Sequence, residues 1–112
     1  MKVYGIKNCE TVKKALNALE AKGIAYEFHD YKKLGVEEQK IKDWLKKTSL
    51  ESLINKKGTT YKKLSDADKK ALESEKTAIK IMQSNTSAIK RPILEAKNQL
   101  IVGFDILKYD EL

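Results

Sequence analysis

The sequence predicts an α/β fold with a mixed sheet, built in the order β-α-β, a helical insertion and β-β-α. Strand, helix and strand patterns follow one another within the first thirty residues, which is typical of a βαβ unit with parallel strands. No strand pattern appears between Tyr31 and Lys90, and two strand patterns return after Pro92. We therefore expect one domain over residues 1–112, with a helical insertion at about 34–89.

The first element is a short buried strand at residues 1–6, and a helix follows it. Asn8 is the expected N-cap of this helix, and Gly23 is its expected end. An apolar stripe with helical spacing is formed by Val12, Ala15, Leu16 and Leu19. A second strand is predicted where apolar residues alternate with polar ones, at Ile24, Tyr26 and Phe28.

The rest of the chain is predicted to be helical until a C-terminal hairpin. Helical segments are expected at residues 36–47, around 50–54, after the cap Ser65, and at 77–82. Strands at 92–96 and 100–102, joined by a tight turn at 97–98, form the hairpin, and a last helix is expected at 105–109.

The composition of the chain argues against several classes of function. The chain has a net charge of +7, but its lysines are scattered in pairs, so we expect a solvated face and no nucleic-acid partner. With a single cysteine, neither an internal disulfide nor a Cys/His zinc site is expected. No apolar run approaches the ~20 residues of a membrane span, so we expect a cytoplasmic protein.

Cys9 lies where the first strand gives way to the first helix. Exposed N–H groups and the positive end of the helix dipole stabilise an anion there, and a thiolate is an anion. Lys13, one turn further on, adds positive charge. A buried inert cysteine is the alternative, but the apolar stripe begins only at Val12, which favours a reactive thiol.

Arg91 is the only arginine among 23 basic residues, and it directly precedes the only proline, Pro92. A guanidinium offers a planar fork suited to oxyanions. A cis-proline at position 92, as the first residue of a strand, could present Arg91 across a cleft to Cys9. An ordinary surface arginine before a strand is the alternative.

Four motifs, in order, resemble the arsenate-reductase-like (ArsC/Spx/YffB) family, and its YffB branch is the most similar. They are K-N-C-E-T-V-K-K-A at 7–15, F-H-D-Y-K-K at 28–33, L-I-N-K-K-G-T-T-Y-K-K-L at 53–64 and K-R-P-I-L at 90–94. The resemblance implies a thioredoxin-like fold with a helical insertion. It also implies that Cys9 is the nucleophile, that Thr11 lies in the anion-cradling loop, and that Arg91 binds an oxyanion before a cis Pro92.

The sequence departs from the family pattern at two positions, and each departure argues against one activity of the family. Asn55 stands at the position of a middle-segment arginine that arsenate reductases are expected to use, and Arg91 is the only arginine. Efficient arsenate reduction is therefore not expected. Val12 occupies the position of the second cysteine of Spx-type regulators, so an internal disulfide switch is impossible.

The resulting hypothesis is a thiol-dependent reductase whose Cys9 thiolate attacks a substrate sulfur or oxyanion. We expect Asn8, Lys13 and Asn55 to help bind the substrate anion. Glutathione, or a glutaredoxin, would supply the second thiol to a monomer with no tightly bound cofactor. The alternative is a non-catalytic, Spx-like regulator whose basic insertion docks on a protein partner such as RNA polymerase.

Overall fold

The computed structural model describes residues 1–112, which divide into two compact units. One unit comprises Met1–Leu34 and Arg91–Leu112, and the other comprises Gly35–Lys90. The first unit contains β1 (Lys2–Gly5), α1 (Glu10–Ala21), β2 (Glu27–Asp30), α2 (Tyr31–Leu34), β3 (Ile93–Glu95), β4 (Leu100–Val102) and α8 (Ile106–Asp110). The second contains α3 (Glu38–Leu45), α4 (Leu50–Leu53), α5 (Thr59–Lys63), α6 (Asp66–Ala71), α7 (Glu75–Ser84) and a 3-10 turn (Thr86–Ala88). None of the helices has the length and apolar character that crossing a membrane requires.

The first unit is built on a four-stranded sheet in the order β2-β1-β3-β4. β1 runs parallel to β2, with Val3 opposite Phe28, and antiparallel to β3, with Val3 opposite Leu94. β3 and β4 form the antiparallel hairpin. This arrangement confirms the predicted α/β class, the parallel βαβ unit and the C-terminal hairpin.

Helix α1 follows directly from its sequence pattern. It buries Val12, Ala15 and Leu19, as the apolar stripe predicts. The helix ends at Gly23, which has φ +68°; the Gly23 N–H donates to the Glu20 carbonyl and the Ile24 N–H to the Leu19 carbonyl, both at 3.0 Å. This pair of bonds is a Schellman motif, and it confirms Gly23 as the helix stop.

The core of the first unit lies where the sheet meets α1 and α8. Its fully buried members are Val3, Ala15, Leu19, Leu94, Ile101 and Tyr109. The Tyr109 hydroxyl has no hydrogen-bond partner, and burial raises its pKa to about 12. The Tyr109 ring packs edge-on against Phe104, with 5.0 Å between the ring centroids.

The second unit is helical, with a single isolated bridge between Ile54 and Ile89. Its buried apolar side chains include Ile41, Trp44, Leu53, Ala78, Ile79 and Met82. Ser65 caps α6 as predicted, because its hydroxyl accepts the Asp68 N–H at 3.1 Å. Trp44 is the largest of these buried apolar side chains and is 1% exposed.

Several boundaries differ from the sequence prediction. β2 begins at Glu27 and not at Ile24, because the Ile24 N–H is used in closing α1. α7 begins at Glu75, two residues before the predicted start. Helices α2 and α5 and the 3-10 turn were not predicted.

Candidate active site

Three chain segments of the first unit meet at one edge of the sheet. β1 and β2 are parallel, so the chain leaves both strands at the same edge, towards Cys9 and Tyr31 respectively. β3 is antiparallel to β1, so the chain enters it from that edge, through Arg91-Pro92. The topology therefore brings a thiol, a guanidinium and a phenol together.

Cys9 is the N-cap of α1, with φ −93° and ψ 128°. The prediction that Asn8 caps the helix is wrong. Asn8 instead has φ +67°, a left-handed conformation that Asn tolerates better than most residues, and it turns the chain from β1 into the helix. The Cys9 carbonyl accepts the Lys13 N–H at 2.9 Å, which is the first bond of the helix. The thiol thus stands at the site where N–H groups of the first turn have no partner within the helix.

Close packing between β1 and α1 fixes where the helix begins. A Cβ on Gly5 would lie 2.9 Å from Val12 Cγ2 and 3.5 Å from Phe28 Cε1. Val12 is itself only 2% exposed, so it has little room to move. Only glycine allows this approach, and the approach holds the first turn of α1 at the end of β1.

The surroundings of Cys9 lower the pKa of its thiol. Partial burial is the largest single influence and raises the pKa. It is outweighed by the backbone N–H of Val12, the side chain of Arg91, the backbone N–H of Thr11 and the charge of Arg91, in decreasing order. The Cys9 sulfur does not form a side-chain capping hydrogen bond to the first turn of α1. Its stabilisation is therefore the sum of several weak donors and one guanidinium.

Arg91 reaches two groups at this edge. Its guanidinium hydrogen-bonds to the Cys9 sulfur and to the Tyr31 hydroxyl, and its charge acts on both. The Arg91-Pro92 peptide bond is cis. The buried Pro92 carbonyl accepts the Gly103 N–H at 2.8 Å, which ties this segment to the end of β4.

Tyr31 is the site residue that the sequence reasoning missed. Its side chain is 0% exposed, and burial raises its pKa far above the usual range against the opposing influence of Arg91. The phenol is therefore neutral and can accept a hydrogen bond from Arg91 while donating one elsewhere. A usable signal existed, because Tyr31 directly follows a strand that is parallel to the strand before Cys9.

The other predicted residues fall in different places. Thr11 contributes a backbone N–H to the thiolate, and Asn8 and Lys13 line an adjoining groove. Asn55 belongs to the second unit, where its N–H donates to the Ala88 carbonyl at 2.7 Å.

Comparison with known proteins identifies the family of the chain. The ArsC family model matches residues 4–112. An uncharacterised protein of Haemophilus influenzae is 36% identical over 107 residues, covering 96% of this chain and 93% of its own. Among solved structures, the YFFB (PA3664) protein has a TM-score of 0.92 at 39% identity, covering 98% of this chain and 96% of its own. An arsenate reductase (ArsC) related protein from Brucella melitensis has a TM-score of 0.74 at 40% identity, covering 98% and 91%. The chain therefore belongs to the ArsC family, and it is an arsenate-reductase-like protein of the thiol-dependent reductase kind with the thioredoxin-like fold.

Proposed function

We propose that the protein is a glutathione-dependent thiol reductase that uses Cys9 as its only nucleophile. The observation that carries this proposal is the lowered pKa of the Cys9 thiol beside the Arg91 guanidinium. A thiolate is the reactive form of cysteine, and lowering its pKa towards neutrality increases the fraction present.

The chemistry follows from having one cysteine. The Cys9 thiolate attacks the glutathione sulfur of a mixed disulfide R–S–S–G, so a Cys9–S–S–G bond forms while the substrate S–S bond breaks. R–S⁻ leaves with the electron pair and takes a proton from water. A second glutathione thiolate then attacks the glutathione sulfur bound to Cys9, which yields oxidised glutathione and restores the Cys9 thiolate. In the net reaction, R–S–S–G and one glutathione thiol give R–SH and oxidised glutathione, so R is reduced and one free glutathione thiol is oxidised in each cycle.

Arg91 has a defined task in this cycle. Its planar fork suits a carboxylate, and glutathione carries two. Because it also bonds to the Cys9 sulfur, the same guanidinium places the glutathione sulfur beside the nucleophile and stabilises the thiolate. The Tyr31 hydroxyl also forms a hydrogen bond with this guanidinium.

The test is direct because Cys9 is the only cysteine. The protein is incubated with oxidised glutathione, and intact mass spectrometry is used to look for a single glutathione adduct that glutathione then removes. Turnover of a glutathione mixed disulfide is followed in parallel as thiol release. We expect the adduct and turnover in the native protein, and neither in Cys9→Ser.

A stable protein that forms no adduct and shows no turnover would overturn the proposal. A second set of assays with added glutaredoxin identifies the electron donor. If turnover requires glutaredoxin, then glutaredoxin and not glutathione is the direct reductant of Cys9. We also expect poor turnover of arsenate, because a single arginine supplies only one fork for the oxyanion. Rapid arsenate reduction would contradict that part of the reasoning.

A further inference from the structure

A groove adjoins the active site within the first unit, and none of the chemistry above uses it. It has a volume of about 550 Å³ and lies between α1, β2 and α2. That size is within the ~300–1,000 Å³ of small-ligand sites. Its near end begins at Asn8, the residue before the nucleophile.

The floor and walls of the groove are apolar. Leu16 of α1 and the rings of Tyr26 and Phe28 line it. Tyr26 directly precedes β2 and Phe28 lies within it, and both side chains line the groove. The Tyr26 hydroxyl donates to a Glu20 carboxylate oxygen at 2.8 Å, which fixes that ring in place. Leu34 completes the lining and is 66% exposed, so it offers uncovered apolar surface.

The rim beside Cys9 is positively charged. Lys7, Lys13 and Lys33 line the groove, and none of their ammonium groups forms an ion pair. Asp30 is the one acidic residue among the lining side chains, and its carboxylate is already engaged. It accepts the N–H groups of Lys32 at 3.0 Å and Lys33 at 3.3 Å, as the cap of α2.

We propose that this groove seats the substrate chain R of the mixed disulfide, and that R is an acidic peptide segment with a large apolar side chain near its cysteine. Three unpaired lysines beside an apolar floor complement a segment that combines carboxylates with an aliphatic or aromatic side chain. Glutathione itself has no large apolar side chain, so it leaves the floor uncovered. The inference rests on the proposed function only for the disulfide chemistry, and it assigns the substrate class.

The test uses three cysteine peptides of equal length, each joined to glutathione by a disulfide. One carries two Glu and one Leu near the cysteine, the second replaces Glu by Lys, and the third replaces Leu by Ser. We expect kcat/KM for thiol release from the acidic, leucine-containing peptide to exceed that of the basic peptide by about tenfold at low salt. The preference should shrink as salt is added.

Matched lysine variants separate the groove from net charge. The triple variant Lys7→Gln, Lys13→Gln and Lys33→Gln should abolish the acidic preference. The control Lys14→Gln, Lys32→Gln and Lys97→Gln removes the same charge from exposed positions outside the groove lining and should retain it. Leu34→Ser should weaken only the preference for leucine, because Leu34 is exposed and its replacement leaves no cavity in the core.

Binding to Cys9→Ser protein makes failure of the two proposals distinguishable. If this variant binds the acidic peptide selectively but the native protein shows no turnover, the groove proposal is supported and the reductase proposal is refuted. Equal kcat/KM values for acidic and basic peptides, or equal losses in both triple variants, would overturn the groove proposal. So would a dimer in light scattering that Leu34→Ser dissociates, because a second copy would then occupy the groove.

Discussion

Gly5→Ala is the substitution that most directly tests how the fold positions Cys9. The new methyl carbon would lie 2.9 Å from Val12 Cγ2, whereas carbon atoms in favourable contact are ~3.5–4.0 Å apart. The two elements must therefore separate by roughly 0.6 Å, and Val12 is too buried to turn away. Overpacking of this kind costs about 1–3 kcal/mol.

A double-mutant cycle isolates this contact. Val12→Ala alone removes two buried carbon groups, and it should cost about 1.6 kcal/mol at about 0.8 kcal/mol each. Adding it to Gly5→Ala makes room for the new methyl, so the double variant should be more stable than the sum of the two single effects. We expect a coupling free energy of about 1 kcal/mol or more.

The assay combines urea unfolding with the pH dependence of Cys9 alkylation. Because the Val12 N–H stabilises the Cys9 thiolate, displacing Val12 should raise the pKa of that thiol in Gly5→Ala. The double variant should bring the alkylation midpoint back towards that of the native protein. Strictly additive unfolding free energies, with an unchanged midpoint in Gly5→Ala, would refute the proposed packing.

Three further predictions concern the site. The folded state lowers the Cys9 pKa, so the unfolded chain binds the thiol proton more tightly. The difference in unfolding free energy between the native protein and Cys9→Ser should therefore increase with pH. The increase should begin below the pKa of Cys9 in the folded protein and end above its pKa in the unfolded chain. A difference that does not change with pH would contradict this prediction. Arg91→Lys keeps the charge but loses the fork, so KM for a glutathione mixed disulfide should rise about tenfold, and unchanged kinetics would exclude fork binding. Tyr31→Phe removes the hydroxyl that the Arg91 guanidinium contacts. The value of kcat/KM should therefore fall about fivefold, and the pH midpoint of Cys9 alkylation should shift. A purely structural role of Tyr31 would leave that midpoint unchanged.

Much of the site could be predicted from the sequence because its signals are local. The position of Cys9 outside the apolar stripe placed it at the helix start, and the structure makes it the N-cap. The choice of Asn8 as cap was wrong because cap preferences are statistical, and the left-handed turn at Asn8 shifts the helix start by one residue.

Other features depend on tertiary contacts that no local pattern contains. Nothing in the residues around Tyr31 separates it from the other four tyrosines of the sequence. The parallel pairing of β1 and β2 brings it to the edge of the sheet where Arg91 lies. The groove is likewise invisible in the sequence, since Leu16, Phe28 and Leu34 come from three different elements. Of its three lysines, only Lys13 is distinguished in the sequence, by its position one turn after Cys9.

The most direct test of the reactive thiolate is the rate of Cys9 alkylation in the native protein as a function of pH. One cysteine gives one alkylation site, so the rate reports on Cys9 alone. We expect the midpoint to lie below the roughly 8.5 of a free cysteine, and to rise in Arg91→Met, which removes the guanidinium. A midpoint at or above about 8.5 that Arg91→Met leaves unchanged would contradict a thiolate stabilised by Arg91 and the first turn of α1.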